Sequence, residues 1–222
     1  MRSLLFIGLL ICIFTASAQK TDRSSRYMKP QDRLVIDVTN LMLLEPAPGL
    51  SLRGWSPGFG AAVMHPVRLG KSFFWLAAGY GVRSMNYHMN GNFAEFETPS
   101  GTRSQFIAFA HGYSYDKHKW AITNAEIPFE FRYRNDRPNG FKFGIGGSIG
   151  YLINSHSKTI DDDGKKKFYA LKGIETLNYA LTTRIGFGRY SAFVHYQLSR
   201  FIRNGDFPQM TPVSYGIGIQ LI

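Results

Sequence analysis

The residues best suited to chemistry in this chain are six histidines: His65, His88, His111, His118, His156 and His195. A hydrolase needs a nucleophile, a base and an orienting group within hydrogen-bond reach. His88, His111, His118 and His156 fall in or beside long segments without clear strand patterning, where such a set could assemble with serines. No HExxH or GxSxG spacing accompanies them. Surface or satisfied core histidines explain that pattern more simply. Asp161, Asp162 and Asp163 cluster carboxylates suited to a hard cation, but the EF-hand spacing and its closing Glu are missing. Lys165, Lys166 and Lys167 follow and repel a cation. A solvated hairpin tip with facing acidic and basic limbs is the better reading. The glycine-rich stretch 144–150 lacks GxGxxG spacing and a following helix, so it reads as strand glycines and not as a dinucleotide loop. Cys12 is the one cysteine, which excludes a disulfide framework within the chain and a multi-Cys zinc site. The expectation is a protein with no catalytic residues, no cofactor and no metal.

What holds these residues is set by the rest of the chain. Of 222 residues, 44% are hydrophobic, 15% aromatic and 18% charged, which excludes a disordered chain. A mean hydropathy of −0.16 excludes a polytopic helical membrane protein. It does not exclude a transmembrane β-barrel, whose alternating strands average out on any hydropathy scale. Met1-Arg2, the apolar run Leu4 to Phe14 and the small-residue site Ala16-Ser17-Ala18 form a secretory signal peptide, 1–18, cut before Gln19. Cys12 lies inside the apolar run and does not mark a lipoprotein anchor. Residues 19–32 carry Lys20, Arg23, Arg26 and Lys29 and read as a flexible periplasmic arm. The remaining segment, 33–222, is one barrel domain. The net charge of +11 raises nucleic acid as a partner, but export removes that option. Anionic lipid headgroups, including lipopolysaccharide phosphates, are the expected contacts of the basic rims.

Period-two alternation recurs in eight segments. The clearest is Val213, Tyr215, Ile217, Ile219 and Leu221 against Ser214, Gly216, Gly218 and Gln220. Others lie near 177–187, 190–198, 141–153 and 121–133, with weaker ones near 33–39, 55–66 and 72–87. Connections alternate in length: short at 67–71, 135–140 and 188–189, long at 40–54, 88–118, 155–174 and 202–211. Outer-membrane barrels segregate short periplasmic turns from long extracellular loops. The expected fold is therefore all-β: an eight-stranded antiparallel up-and-down transmembrane barrel with both termini periplasmic. Apolar faces would meet lipid. Glycine-bearing faces would fill a narrow interior plugged by a polar network of Asp37, Glu126, Glu130, Arg132, Lys142, Arg184 and His195. Aromatics near strand ends, Trp55, Tyr87, Trp120, Tyr133, Tyr151, Tyr190 and Phe201, suit interfacial girdles. Pro128 removes a ladder hydrogen bond inside a strand, so a local bulge is expected there.

Glu126-Ile127-Pro128 with Arg132, the glycines from 144 to 150, Tyr151-Leu152-Ile153-Asn154, the Leu69-Gly70-Lys71-Ser72 turn and the Ala18-Gln19 junction together resemble the PorT-type outer-membrane β-barrel family of Bacteroidota. The resemblance implies an eight-stranded outer-membrane barrel. Its namesake is associated with type IX protein secretion, and no catalytic residues carry over. The chain departs from the usual barrel pattern by ending Leu221-Ile222, without a terminal aromatic. The resulting expectation is a non-enzymatic accessory or structural subunit with protein partners in an outer-membrane secretion or assembly complex. Two alternatives stay open. One is a lipid-modifying outer-membrane hydrolase using loop His and Ser residues. The other is a soluble lipocalin-like periplasmic barrel, since alternation alone does not say which face points inward.

Overall fold

In a computed structural model, the described residues are 32–99, 101–111, 114–135, 137, 139–161, 164–169, 173–203 and 210–221. The expected signal peptide and nearly all of the arm lie outside them. Eleven strands follow one another: β1 (Leu34–Leu44), β2 (Pro57–Arg68), β3 (Phe74–Tyr87), β4 (Gly91–Thr98), β5 (Gly101–Ala108), β6 (Lys117–Arg134), β7 (Phe141–Asp161), β8 (Gly164–Tyr169), β9 (Leu177–Phe187), β10 (Tyr190–Gln197) and β11 (Thr211–Leu221).

Antiparallel ladders run β1–β2–β3–β6–β7–β9–β10–β11 and return from β11 to β1. Eight strands thus close into a ring, and each has two hydrogen-bonded neighbours within it. Strands β4 and β5 pair only with each other, and β8 extends β7 outside the ring. Both pieces fall in segments expected as long loops. Gly91, the closely spaced charges Glu95, Glu97 and Arg103, and the run Lys165–Lys167 break the apolar alternation there, so their strand character does not show in the pattern.

The alternation sets an inside and an outside. In β9 and β10 every apolar outward position is exposed while Thr182, Arg184, Ser191, His195 and Gln197 are buried. Ile217 is 70% exposed and Arg184 6%. A lipocalin-like barrel needs the reverse, with apolar faces inward. The short connections lie at one end of the ring. Between β9 and β10 two residues suffice, and Gly188 takes φ 55°, the left-handed conformation that a tight hairpin turn requires. At the other end the hydrophobic core collects: Leu41, Met85, Tyr87, Trp120 and Ile122 from ring strands meet Ala47, Leu50, Met89, Phe106, Ile174, Phe201, Ile202 and Met210 from the connections and β5.

Pro128 does not create a bulge. It pairs in register with Ser148 of β7. Toward β3 the ladder skips Ile127 and Pro128 and resumes in the same register. The missing N–H costs local pairing and leaves the strand count per row unchanged. The register shift of β6 against β7 comes instead at Thr123/Asn124, where Ile153 is the extra residue.

Candidate functional site

The interior of the ring near the short turns is built from charged side chains. Asp37 on β1, Glu126, Glu130 and Arg132 on β6, Lys142 on β7, Arg184 on β9 and His195 on β10 are all buried. Each sits on the inward parity of its strand. Arg184 donates from two guanidinium nitrogens to the two carboxylate oxygens of Asp37, both at 2.9 Å. Its Nε lies 3.6 Å from Glu130 Oε1, and Glu130 Oε2 accepts from Arg132 Nε at 2.6 Å. Arg83 on β3 donates to Glu126 at 3.1 Å and lies 4.0 Å from Asp37. A bidentate Arg–carboxylate pair is the strongest form such a contact takes. Gly218 makes room for it: a Cβ there would overlap the Asp37 carboxylate and the Arg184 guanidinium.

Lys142, expected in the same polar network as Glu126 and Glu130, finds other partners. It meets neither Glu126 nor Glu130, but donates to Asp32 Oδ1 at 2.9 Å and Gln220 Oε1 at 2.6 Å. Asp32 also receives Arg134 at 3.2 Å. The last residue of the expected arm is therefore buried in the interior and closes its short-turn end. His195 shares a 2.9 Å hydrogen bond with Thr182. Arg83, Gln220 and Asp32 complete the network, and of these Asp32 was expected elsewhere, in the arm. Arg83 and Gln220 share the inward parity of their neighbours, which was the available signal; nothing local marks Asp32. Two cavities of about 20 and 30 Å³ lie among these side chains, room for one or two waters each.

The expected girdle divides. Trp55, Tyr151 and Tyr190 are exposed, and Tyr133 is half-buried. Tyr87, Trp120 and Phe201 are not on the outside at all. They are buried in the apolar core at the long-connection end, where Tyr87 contacts Phe201 with ring centroids 5.1 Å apart. Trp120 packs edge-on against Phe93 at 4.9 Å and donates its indole N–H to Asn92 at 3.1 Å. The hairpin β4–β5 supplies the surface that covers them. Near the short turns, a run of rings links Phe131, Phe74, Tyr133, Phe141 and Phe187 at centroid distances of 5.3 to 6.3 Å, and of these Tyr133 alone was among the expected girdle residues. Their position flanking the turns was the readable signal.

Among the described residues, no histidine is joined to a carboxylate in a hydrolytic set. His118 is buried, shares a 2.8 Å hydrogen bond with Thr159 and packs edge-on against Phe109. Its segment stands above the ring; burial pushes its pKa down to about 4. His88 is lowered too, by burial and then by Lys117, Lys119 and Arg53. Among the described residues no carboxylate bonds a histidine, so the orienting Asp–His pair of a triad is not formed there. Lys166 pairs with Asp161 at 3.0 Å, as facing limbs of a hairpin do, while Asp162 and Asp163 lie outside the described residues.

A closed antiparallel ring, apolar outside and ion-paired inside, is the build of a membrane β-barrel. The family model of the outer membrane protein beta-barrel domain matches residues 38–207, and the chain belongs to that family. It is an integral outer-membrane protein. No curated protein matches the chain.

Proposed function

We propose that the ring is an eight-stranded transmembrane barrel that follows a cleaved signal peptide, holds both termini in the periplasm and directs its capped end outward. It serves as a non-enzymatic structural or accessory subunit of an outer-membrane complex, with the PorT-type role in secretion or assembly as the nearest reading. The inversion of burial carries this: bulky apolar side chains on the outer surface, charges paired within. Among the described residues, the two cavities between the charged side chains have room for one or two waters each, which supports a scaffold over a pore. The exposed aromatics beside the short turns support a periplasmic girdle there.

Envelope fractions run on SDS gels with and without boiling test the barrel. Faster migration of the unboiled protein, in the outer-membrane fraction, is expected; one mobility in both samples overturns it. Affinity purification from solubilised outer membranes tests the accessory role, which a strictly monomeric protein without partners contradicts. Lipid A mass spectra of a deletion strain are expected to be unchanged; an altered spectrum favours a lipid-modifying enzyme.

A further inference from the structure

Above the ring, β6, β7 and β8 continue as a three-stranded sheet, past Tyr151 where β9 stops pairing with β7. The registers set Lys119 opposite Lys158 and Lys158 opposite Lys167. One row further out, Lys117 and Lys165 flank Ile160. One row nearer the ring, His156 stands between Ala121 and Tyr169. All share the outward face, while His118, Trp120, Ser155, Ser157 and Thr159 on the other face are buried.

Like charges directly opposite one another destabilise a strand pair, and here three lysines stand in one row. Lys119 donates to Asn86 at 2.6 Å, and Lys167 lies 4.5 Å over the Tyr169 ring. Among the described residues, no carboxylate pairs with Lys117, Lys119, Lys158, Lys165 or Lys167. Asp161 pairs with Lys166, on the opposite face. Burial and then the neighbouring lysines lower the pKa of both Lys119 and His156.

An edge strand carries lysines to resist pairing with other chains. That accounts for Lys165 and Lys167 on β8. It does not account for Lys158, whose strand is paired on both sides at that row, with β6 and with β8; β6 at Lys119 pairs with β7 alone, its ladder to β3 ending at Trp120. Unneutralised charge in the middle of a sheet calls for an anion from outside. The exposed apolar side chains Tyr151 and Ile153 lie below on β7, with Leu177 beside them on β9. Lys158 is five residues past Ile153, about 17 Å along the strand and about 12 Å in height at barrel tilt. An extended lysine side chain covers roughly 6 Å of that height, and the headgroup layer, about 5–8 Å deep, covers the rest.

We infer that this face binds the phosphate groups of the phosphorylated glycolipid in the outer leaflet, with the Lys119–Lys158–Lys167 row as its centre. The inference rests on the barrel reading and its outward-facing cap.

The test uses the full mature protein in nanodiscs and as a Lys119→Gln/Lys158→Gln/Lys167→Gln variant. A control, Lys71→Gln/Arg137→Gln/Arg189→Gln, removes equal charge at the other rim. Binding of bisphosphorylated lipid A, dephosphorylated lipid A, inorganic phosphate and soluble polyphosphate is measured by native mass spectrometry. The inference expects the row variant and the dephosphorylated lipid each to bind at least tenfold more weakly, with the control unchanged. It also expects the row variant without lipid to unfold at a higher temperature, because repulsion is relieved. Equal lipid A binding by the row variant, or tenfold tighter binding of inorganic phosphate or polyphosphate than of lipid A, overturns it. Heat-modifiable migration of every sample separates the two readings: failed binding in a heat-modifiable barrel removes this inference alone, while a wild type without heat modifiability removes both.

Discussion

The two halves of the interior are packed by opposite means. Around Asp37, Glu130 and Arg184 the ring is filled by ion pairs. A turn of ladder further along the same strands, at Leu41, Met85 and Trp120, it is filled by an apolar core. The medium outside explains the change. Where the ring faces hydrocarbon, an apolar interior gains nothing over lipid, and packing and polar pairing must hold the strands in place. Where the walls rise into water, burying Trp120, Tyr87 and Phe106 yields the ordinary hydrophobic gain. The cap folds as a soluble protein does, and the ring beneath it does not.

The largest contrast comes from Arg184→Met. It strands the Asp37 carboxylate with only the 4.0 Å contact to Arg83. Breaking one partner of a buried pair costs about 3–5 kcal/mol. Urea unfolding in vesicles is expected to shift by that amount, and Asp37→Leu combined with Arg184→Leu to recover most of it. A single variant no less stable than wild type would show that the pairs do not hold the ring.

Trp120→Ala removes the largest side chain of the cap, at a cost of about 3 kcal/mol. The loss is expected to be local. Proteolysis should open the segments around β4 and β5, while the unboiled protein keeps its fast migration. Loss of that migration would mean that cap and ring fold as one unit.

His118 gives the smallest effect and a pH signature. Its folded pKa of about 4 lies below the ordinary 6.5. From pH 6.5 down to about 4 the unfolded segment takes up a proton that the folded cap refuses, so stability present at neutral pH is lost across that window. At pH 5 the loss is roughly 1–2 kcal/mol. An NMR titration of the imidazole is expected to show a midpoint near 4, and protease sensitivity of the cap to rise as pH falls. A midpoint at 6.5 would place His118 in water.

Much of the ring was legible because alternation and turn length are local properties. Ser214 to Leu221 and Leu177 to Phe187 sort into two faces from residue types alone, and burial in the structure says which of the two points inward. The cap was not legible. Tyr87, Trp120 and Phe201 look like girdle residues by type and by nearness to strand ends. Whether such a ring faces lipid or a core depends on where a strand leaves the membrane, and on the β4–β5 hairpin folding over it. Asp32 was missed for a similar reason: its role comes from Lys142, 110 residues away. Pro128 misled in the other direction, since losing one ladder bond does not require an extra residue.

The central claim is that the outward faces of the ring meet hydrocarbon while the inward faces are sealed. With Cys12 as the one native cysteine, single-cysteine spin labels can be read along β9 and β10 in vesicles. The account predicts high oxygen and low nickel-chelate accessibility at Leu181, Ile185 and Val194, and low accessibility to both at Thr182, Ser191 and His195. High nickel-chelate accessibility at Leu181, Ile185 and Val194 would put water where the account puts lipid, and would contradict it.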